Sequence, residues 1–218
     1  MGRARTRELA RKFLDEGNPT GWFDALYKEA AGDPQAVPWA NLIANPGLVS
    51  WLDTNAIDGA GKRALVVGCG LGDDAEALAS KGLEVTAFDI SPEAIRWAKQ
   101  RFAESKVHYE VADLFAPPAE WARHFDFIFE CYTLQSLPAG IRPTALEKVA
   151  SFVAPNGHLL IIARGRDSHE DAGSNPPWPL TREELHQFET LGLKLLTFED
   201  YPDNETPPTR RFRALYSR

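Results

Sequence analysis

From Arg63 onward, short apolar runs and helix-like stretches alternate along the chain, and few folds accommodate that pattern. RALVV (63–67), LEVTAFD (83–89), VHYEVA (107–112), FDFIFE (125–130) and HLLIIA (158–163) read as strands. Most are near-continuous apolar runs, as expected of strands buried on both faces. Between them, DDAEALASKG is closed by Gly82, and Ser91-Pro92-Glu93 opens IRWAKQRF with Ser as N-cap and Pro at the first helical position. Another helix spans about 141–153 and ends before Pro155-Asn156-Gly157. Alternation of this kind builds βαβ units and a parallel sheet with helices on both faces. The tail breaks the rule. After the helical TREELHQFETLG come two strands, LKLLTFEDY and RRFRALYSR, with Pro207-Pro208 between them. Two strands joined by a short loop pair antiparallel. The expectation is therefore a mostly parallel seven-stranded sheet ending in an antiparallel C-terminal hairpin.

The first 55 residues differ in kind. Helical stretches at 4–16, 21–31 and 46–54 are separated by Asn18-Pro19-Thr20-Gly21 and by the Pro-punctuated GDPQAVPW. They read as a helical N-terminal cap (1–55) belonging to the same domain as the sheet (56–218). A chain of 218 residues with 44% hydrophobic residues supports one such core. The formal net charge of −7 disfavours nucleic acid. The nearest basic run, RARTRELARK, is interrupted by Glu8 and reads as a solvated helix. No stretch approaches the roughly 20 apolar residues of a membrane span, and no apolar h-region follows the basic amino end. The two cysteines, Cys69 and Cys131, form no C-x-x-C pair, and the five histidines are scattered. The expectation is a cytoplasmic protein, a monomer or weak homodimer, with no metal, nucleic-acid or membrane partner.

Chemistry concentrates in ALVVGCGLGDD (64–74). A Gly-rich turn between a strand and a helix commonly cradles phosphates. Here Gly68, Gly70 and Gly72 give G-x-G-x-G, and Asp73 stands where a dinucleotide fingerprint needs its third Gly. A carboxylate roughly 5 Å from a pyrophosphate charge costs about 3 kcal/mol at an effective dielectric near 20, and Asp74 adds to it. The turn suits a ligand that approaches the backbone closely and carries positive charge. S-adenosylmethionine (SAM), with a sulfonium, an ammonium and no phosphate, meets both conditions. Asp74 is placed to meet the ammonium. Asp89 ends the second strand about 20 residues on, where an acid binds ribose hydroxyls. Asp113 ends the third, where an acid accepts from the adenine amino group, and Ile90 and Leu114 beside them sandwich the ring. Cys69, inside the turn, and Glu130, ending the fourth strand, complete the cofactor set. Singly each residue has a structural explanation, such as a tight turn or a helix-start acid. Jointly, three acids at three successive strand ends favour a site.

These segments together resemble the class I SAM-dependent methyltransferases over residues 62–165, with ALVVGCGLGDD, VTAFDIS and VADLF similar to the first three motifs. FDFIFECYTLQSLP and LEKVASFVAPNGHLLIIARG are similar to the fourth strand and the helix–turn–strand after it. The fold implied is Rossmann-like. Most members carry an acid two residues before the first Gly, where this chain has Val66. The thiopurine, thiol and halide methyltransferase branch lacks that acid, has a Gly-Cys-Gly turn, and carries an Asp beyond it that Asp74 matches. The same branch has an aromatic amino-terminal segment, roughly W-x-x-x-[WY] then P-W. FDALY (23–27) and Pro38-Trp39 are similar, with Phe23 in place of the Trp and Trp22 beside it.

The resemblance implies methyl transfer from SAM to a small-molecule acceptor, leaving S-adenosylhomocysteine. Such a displacement releases a neutral thioether, so the protein chiefly aligns the reactants and excludes water. A thiol acceptor, implied by the branch, needs little base help, whereas oxygen or nitrogen acceptors call for a general base. Candidate substrate-pocket residues are Trp22, Phe23, Trp39, Gln135, Arg164 and Arg166. Tyr132 is the one candidate catalytic side chain, with a wall of the pocket as its other reading. RGRDSHEDAGSNPP (164–177) reads as a lid or a plain surface loop. O- or N-methylation, and SAM binding without catalysis, are the competing readings.

Overall fold

The computed structural model describes residues 2–55, 57 and 59–218. Its helices are α1 (Arg3–Asp15), α2 (Gly21–Ala30), α3 (Pro46–Thr54), α4 (Asp73–Ala79), α5 (Pro92–Arg101), α6 (Arg142–Phe152) and α7 (Arg182–Thr190). Its strands are β1 (Arg63–Val67), β2 (Glu84–Asp89), β3 (His108–Val111), β4 (Phe125–Cys131), β5 (Val153–Arg164), β6 (Lys194–Pro202) and β7 (Arg210–Ser217). They form a seven-stranded sheet in the order β3-β2-β1-β4-β5-β7-β6. The chain divides into two compact units, one ending at Asp113 and the other starting at Leu114.

In the first unit β1, β2 and β3 are parallel, and their register sets Val67 against Phe88 and Asp89 against Val111. Gly68, Asp89 and Val111 thus reach the same edge. Ser91 caps α5 as its sequence predicts: its Oγ accepts from Ala94 N at 3.1 Å, with Pro92 at the first helical position. The amino-terminal helices belong to this unit. Arg5 on α1 makes a two-pronged bond to Glu29 on α2, at 2.9 and 2.7 Å, so the basic run is a helix fastened to its neighbour. Leu9, Ala10, Trp22 and Leu26 form their shared core. α2 in turn docks on α5. Asp24 accepts from Ser91 Oγ at 2.7 Å and from Glu93 N at 3.4 Å, capping α5 from outside, and the Tyr27 and Trp97 rings meet edge to face at 5.9 Å.

In the second unit β4 and β5 are parallel, while β7 runs antiparallel to both β5 and β6, giving the terminal hairpin. α7 opens with a capping box in which Thr181 and Glu184 satisfy each other's backbone N–H groups. Glu184 also pairs with the buried Arg142 of α6. One boundary differs from the sequence reading. β5 begins at Val153, so Pro155-Asn156-Gly157 lies inside the strand rather than ahead of it. The segment bulges: Phe125 pairs with Val153, but Phe127 pairs with His158. Asn156 takes a left-handed φ of 63°; its N–H donates to Arg218 O at 3.0 Å, and Arg218 N donates to Gly157 O at 3.0 Å, which holds the bulge to the residue after β7. Turn residues here make a bulge because Arg218 satisfies their backbone groups.

Candidate active site

The glycine turn supplies the left-handed backbone its sequence implies. Gly68, Gly70 and Gly72 have φ of 61°, 53° and 93°. At Gly72 a Cβ would also lie 2.5 Å from the Tyr109 hydroxyl, so that position is closed to any side chain. Asp89 is fixed against the turn: its carboxylate accepts from Gly70 N and from Ser91 N, each at 2.9 Å. Burial pushes this carboxyl above its ordinary value, the N–H groups of Ser91 and Gly70 hold it back, and the Asp24 charge adds to the rise. Each oxygen keeps lone-pair capacity for a further donor. Cys69 is not a thiolate, since burial and the nearby Asp89 raise it well above its ordinary value.

The two acids closing the turn have different fates. Asp73 is held by Arg101 of α5 through two 2.7 Å bonds, and the same guanidinium donates to Leu71 O at 2.6 Å. That charge is neutralised within the fold and fixes the turn to α5. Asp74 has no cation partner among the described residues. Its Oδ1 accepts from the backbone N of Asn45 at 2.6 Å, and burial lifts its carboxyl to about 6, with Asp73 adding to the rise. Of the pair that argues against phosphate in the sequence, one is structural and one remains open to a ligand. No sequence signal links Asp73 to Arg101 or Asn45 to Asp74, because both links join separate elements.

The amino-terminal aromatics divide in the same way. Trp22 is 2% exposed, donates its indole N–H to Pro19 O at 3.1 Å and stacks on Phe23 at 3.9 Å. Phe23 and Trp39 are half-buried, their centroids 6.4 Å apart. Trp39 Nε1 donates at 2.8 Å to the hydroxyl of the buried Tyr27, which lies 3.1 Å from where a Cβ on Gly70 would stand. Tyr27, absent from the candidates drawn from sequence, is thus an aromatic of the amino-terminal helices that borders the turn. Its place at the end of FDALY was the available signal. Ile90 is half-exposed and Asp113 exposed.

The candidates of the second unit are bound up with one another and its loops. Leu114 is buried. Glu130, near the end of β4, is fully buried; Oε1 accepts from Thr133 N at 2.7 Å and Leu134 N at 3.0 Å, while Oε2 has no hydrogen-bond partner among the described residues. Burial raises this carboxyl to about 7. Tyr132 follows β4 in a left-handed conformation (φ 68°), with the Arg211 guanidinium 4.9 Å from its ring centre. A non-glycine residue held there marks a constrained position. Gln135 is buried and accepts from Arg164 N at 2.6 Å, and its carbonyl accepts from Trp178 N at 2.7 Å. Arg166 donates to Pro179 O at 2.9 Å and Glu170 O at 2.8 Å, which folds the 164–177 loop onto itself. Among the described residues no group of three or more His, Cys, Asp or Glu side chains has metal-binding geometry, and no helix is long and apolar enough to cross a membrane.

A family model described as thiopurine S-methyltransferase matches residues 32–215. The chain belongs to the thiopurine S-methyltransferase family. It is 25% identical over 198 residues to "Probable thiol methyltransferase 2" of Arabidopsis thaliana, covering 89% of this chain and 83% of the relative. It is 28% identical over 217 residues to "Thiocyanate methyltransferase 1" of the same plant, covering 95% and 86%. Among solved structures, 1,6-didemethyltoxoflavin-N1-methyltransferase of Burkholderia thailandensis, with bound S-adenosylhomocysteine, shares the fold at a TM-score of 0.70 and 18% identity, covering 90% of this chain and 87% of that one. This member of the family is therefore a class I SAM-dependent methyltransferase acting on small molecules.

Proposed function

We propose that this methyltransferase transfers the methyl group of SAM to a small thiol and holds SAM at the carboxyl ends of β1, β2 and β3. The observation that carries the cofactor placement is the division of labour in the turn: Arg101 neutralises Asp73, while one oxygen of Asp74 makes no bond to the described residues and Asp89 is fixed beside Gly70. Those acceptors fit a ligand with ribose hydroxyls and an ammonium, and oppose one with a pyrophosphate. SAM supplies a methyl carbon activated by its sulfonium. Asp89 accepts from the ribose hydroxyls, Asp74 faces the ammonium, and the glycines let the ligand approach the backbone. Phe23 and Trp39 offer half-buried aromatic surface that walls the acceptor and excludes water. Sulfur as the nucleophile is supported by the thiol-methylating relatives and by chemistry, since a thiolate attacks without a dedicated base.

Two measurements test this. Asp89→Ala removes a charge-assisted hydrogen bond worth roughly 1.5–3 kcal/mol, so SAM affinity by calorimetry falls about tenfold to a hundredfold. A folded variant with unchanged affinity removes the placement. An acceptor panel with tritiated SAM then compares thiols with matched alcohols, phenols and amines. Thiol rates follow the thiolate fraction as pH rises; faster turnover of a phenol or amine than of every thiol rejects sulfur and leaves methyl transfer standing.

A further inference from the structure

Five residues, 40–44, separate two anchors on the glycine turn. Trp39 donates at 2.8 Å to Tyr27, whose hydroxyl borders Gly70; Asn45 N donates at 2.6 Å to Asp74, the second residue of α4. The segment between is a strap fastened at both ends of the turn. It carries Leu42, 44% exposed, and Ile43, 65% exposed. With Val49, they make three of the five exposed large hydrophobic residues among those described. Scattered exposed apolar side chains are ordinary, but an adjacent pair on a short strap is a patch. Leu42 also sits at φ 57°, a left-handed conformation that glycine or asparagine adopts more easily and leucine adopts at a conformational cost. Even so, the fold leaves 44% of that leucine exposed.

Resting on the methyltransferase reading above, we propose that Leu42 and Ile43 are specificity-determining residues: the strap presents them to the apolar body of the methyl acceptor. Continuity with the turn selects this occupant, because each anchor contacts a residue bordering the cofactor's place. Asp74 joins the two ligands. A cationic group beside it keeps the carboxylate ionised, which strengthens the bond from Asn45 N and fastens the strap when the cofactor is present.

The test uses the full chain loaded with S-adenosylhomocysteine, which permits binding without turnover. Dissociation constants are measured for straight-chain alkanethiols from ethanethiol to hexanethiol and for matched alkanols. A methylene moved onto apolar surface strengthens binding by up to about fourfold, so wild-type affinity climbs steadily along both series. In Leu42→Ser/Ile43→Ser the climb drops to less than about half of that per methylene, with S-adenosylhomocysteine affinity unchanged. Leu42→Gly, which φ 57° accommodates, keeps the fold and shows an intermediate slope. Equal slopes in wild type and variants overturn the proposal. So does a change of oligomeric state with unchanged slope, which makes the patch an interface between copies. Failure of wild type to bind S-adenosylhomocysteine overturns the cofactor site and the strap together. Equal affinity for thiols and alkanols, with the climb intact, counts against sulfur alone and supports the strap.

Discussion

Asp74→Asn is expected to stabilise the ligand-free protein while weakening its hold on SAM. Burial lifts the Asp74 carboxyl from 3.8 to about 6, against the opposing pull of the Asn45 N–H. At 1.36 kcal/mol per pKa unit, that shift is a ceiling of about 3 kcal/mol. Partial solvent access to the side chain brings the expected effect to roughly 1–2 kcal/mol. The sign follows from linkage. Below about pH 4 the carboxyl is protonated in both folded and unfolded chains. Between about 4 and 6 the unfolded chain releases its proton first, so stability falls as pH rises and stays low above 6. An asparagine keeps the acceptor for Asn45 N and has no charge to desolvate. Its stability minus that of wild type grows through this window and reaches its full value at pH 7.

A cation beside the carboxylate reverses the penalty, so wild-type SAM affinity rises with pH up to about 6 and then levels. The Asn variant lacks that rise. It binds about tenfold or more weaker than wild type at pH 7, consistent with a hydrogen bond to a charged group, and nearly as well at pH 5. Urea unfolding at both pH values gives the stabilities, and calorimetry gives the affinities. S-adenosylhomocysteine keeps the ammonium and lacks the sulfonium, so the same pH dependence with both ligands assigns the contact to the ammonium. An Asn variant that binds as tightly as wild type at pH 7, or a wild-type affinity flat from pH 5 to 7, refutes the reasoning.

Glu130→Gln should remove a further fall in stability, of up to about 3 kcal/mol, that wild type shows between about pH 4.5 and 7 as its buried carboxyl ionises. The part between 6 and 7 separates it from Asp74, and unfolding curves of variant and wild type across that interval decide it. Trp22→Ala should cost about 3–5 kcal/mol of stability with little change in acceptor KM, because the ring is core. Phe23→Ala, losing a half-buried ring, should instead raise acceptor KM with a smaller loss of stability, so the reverse pattern in thermal unfolding and steady-state kinetics would reassign both residues.

Local features were legible in the sequence. The alternation from Arg63, the Ser91 cap and the left-handed glycines depend on neighbours within a few residues, and each stands where its residues imply. The bulge in β5 was not legible, because Asn156 looks like a turn residue until Arg218 takes its backbone N–H. The same limit applied in the turn. Asp73 and Asp74 look alike to any reading of spacing, and only α5 and the segment before α3, arriving from elsewhere in the chain, tell them apart. Gln135 and Arg166 stood out as polar residues near strand ends, and the structure gives each a backbone partner: Arg164 N at the end of β5 for Gln135, and Pro179 O for Arg166. Polarity near a site identifies candidates; the partners already taken decide what each has left to offer.

That accounting also explains why the amino-terminal helices bear on the cofactor residues. Ser91 donates its backbone N–H to Asp89 and its hydroxyl to Asp24 of α2, so one residue joins the carboxylate proposed for ribose to the cap. Tyr27, three residues further along α2, borders Gly70, and the chain leaving Trp39 returns to Asp74 through Asn45. Two contacts from the first 45 residues therefore fall on the turn, at Gly70 and Asp74, and a third falls on Ser91 beside Asp89. An acid-rich turn of this kind is unfavourable by itself, since desolvation raises both the half-buried Asp74 and the buried Asp89. Arg101 and the cap hold it in shape, and under the proposed placement a bound cation relieves the remaining electrostatic cost.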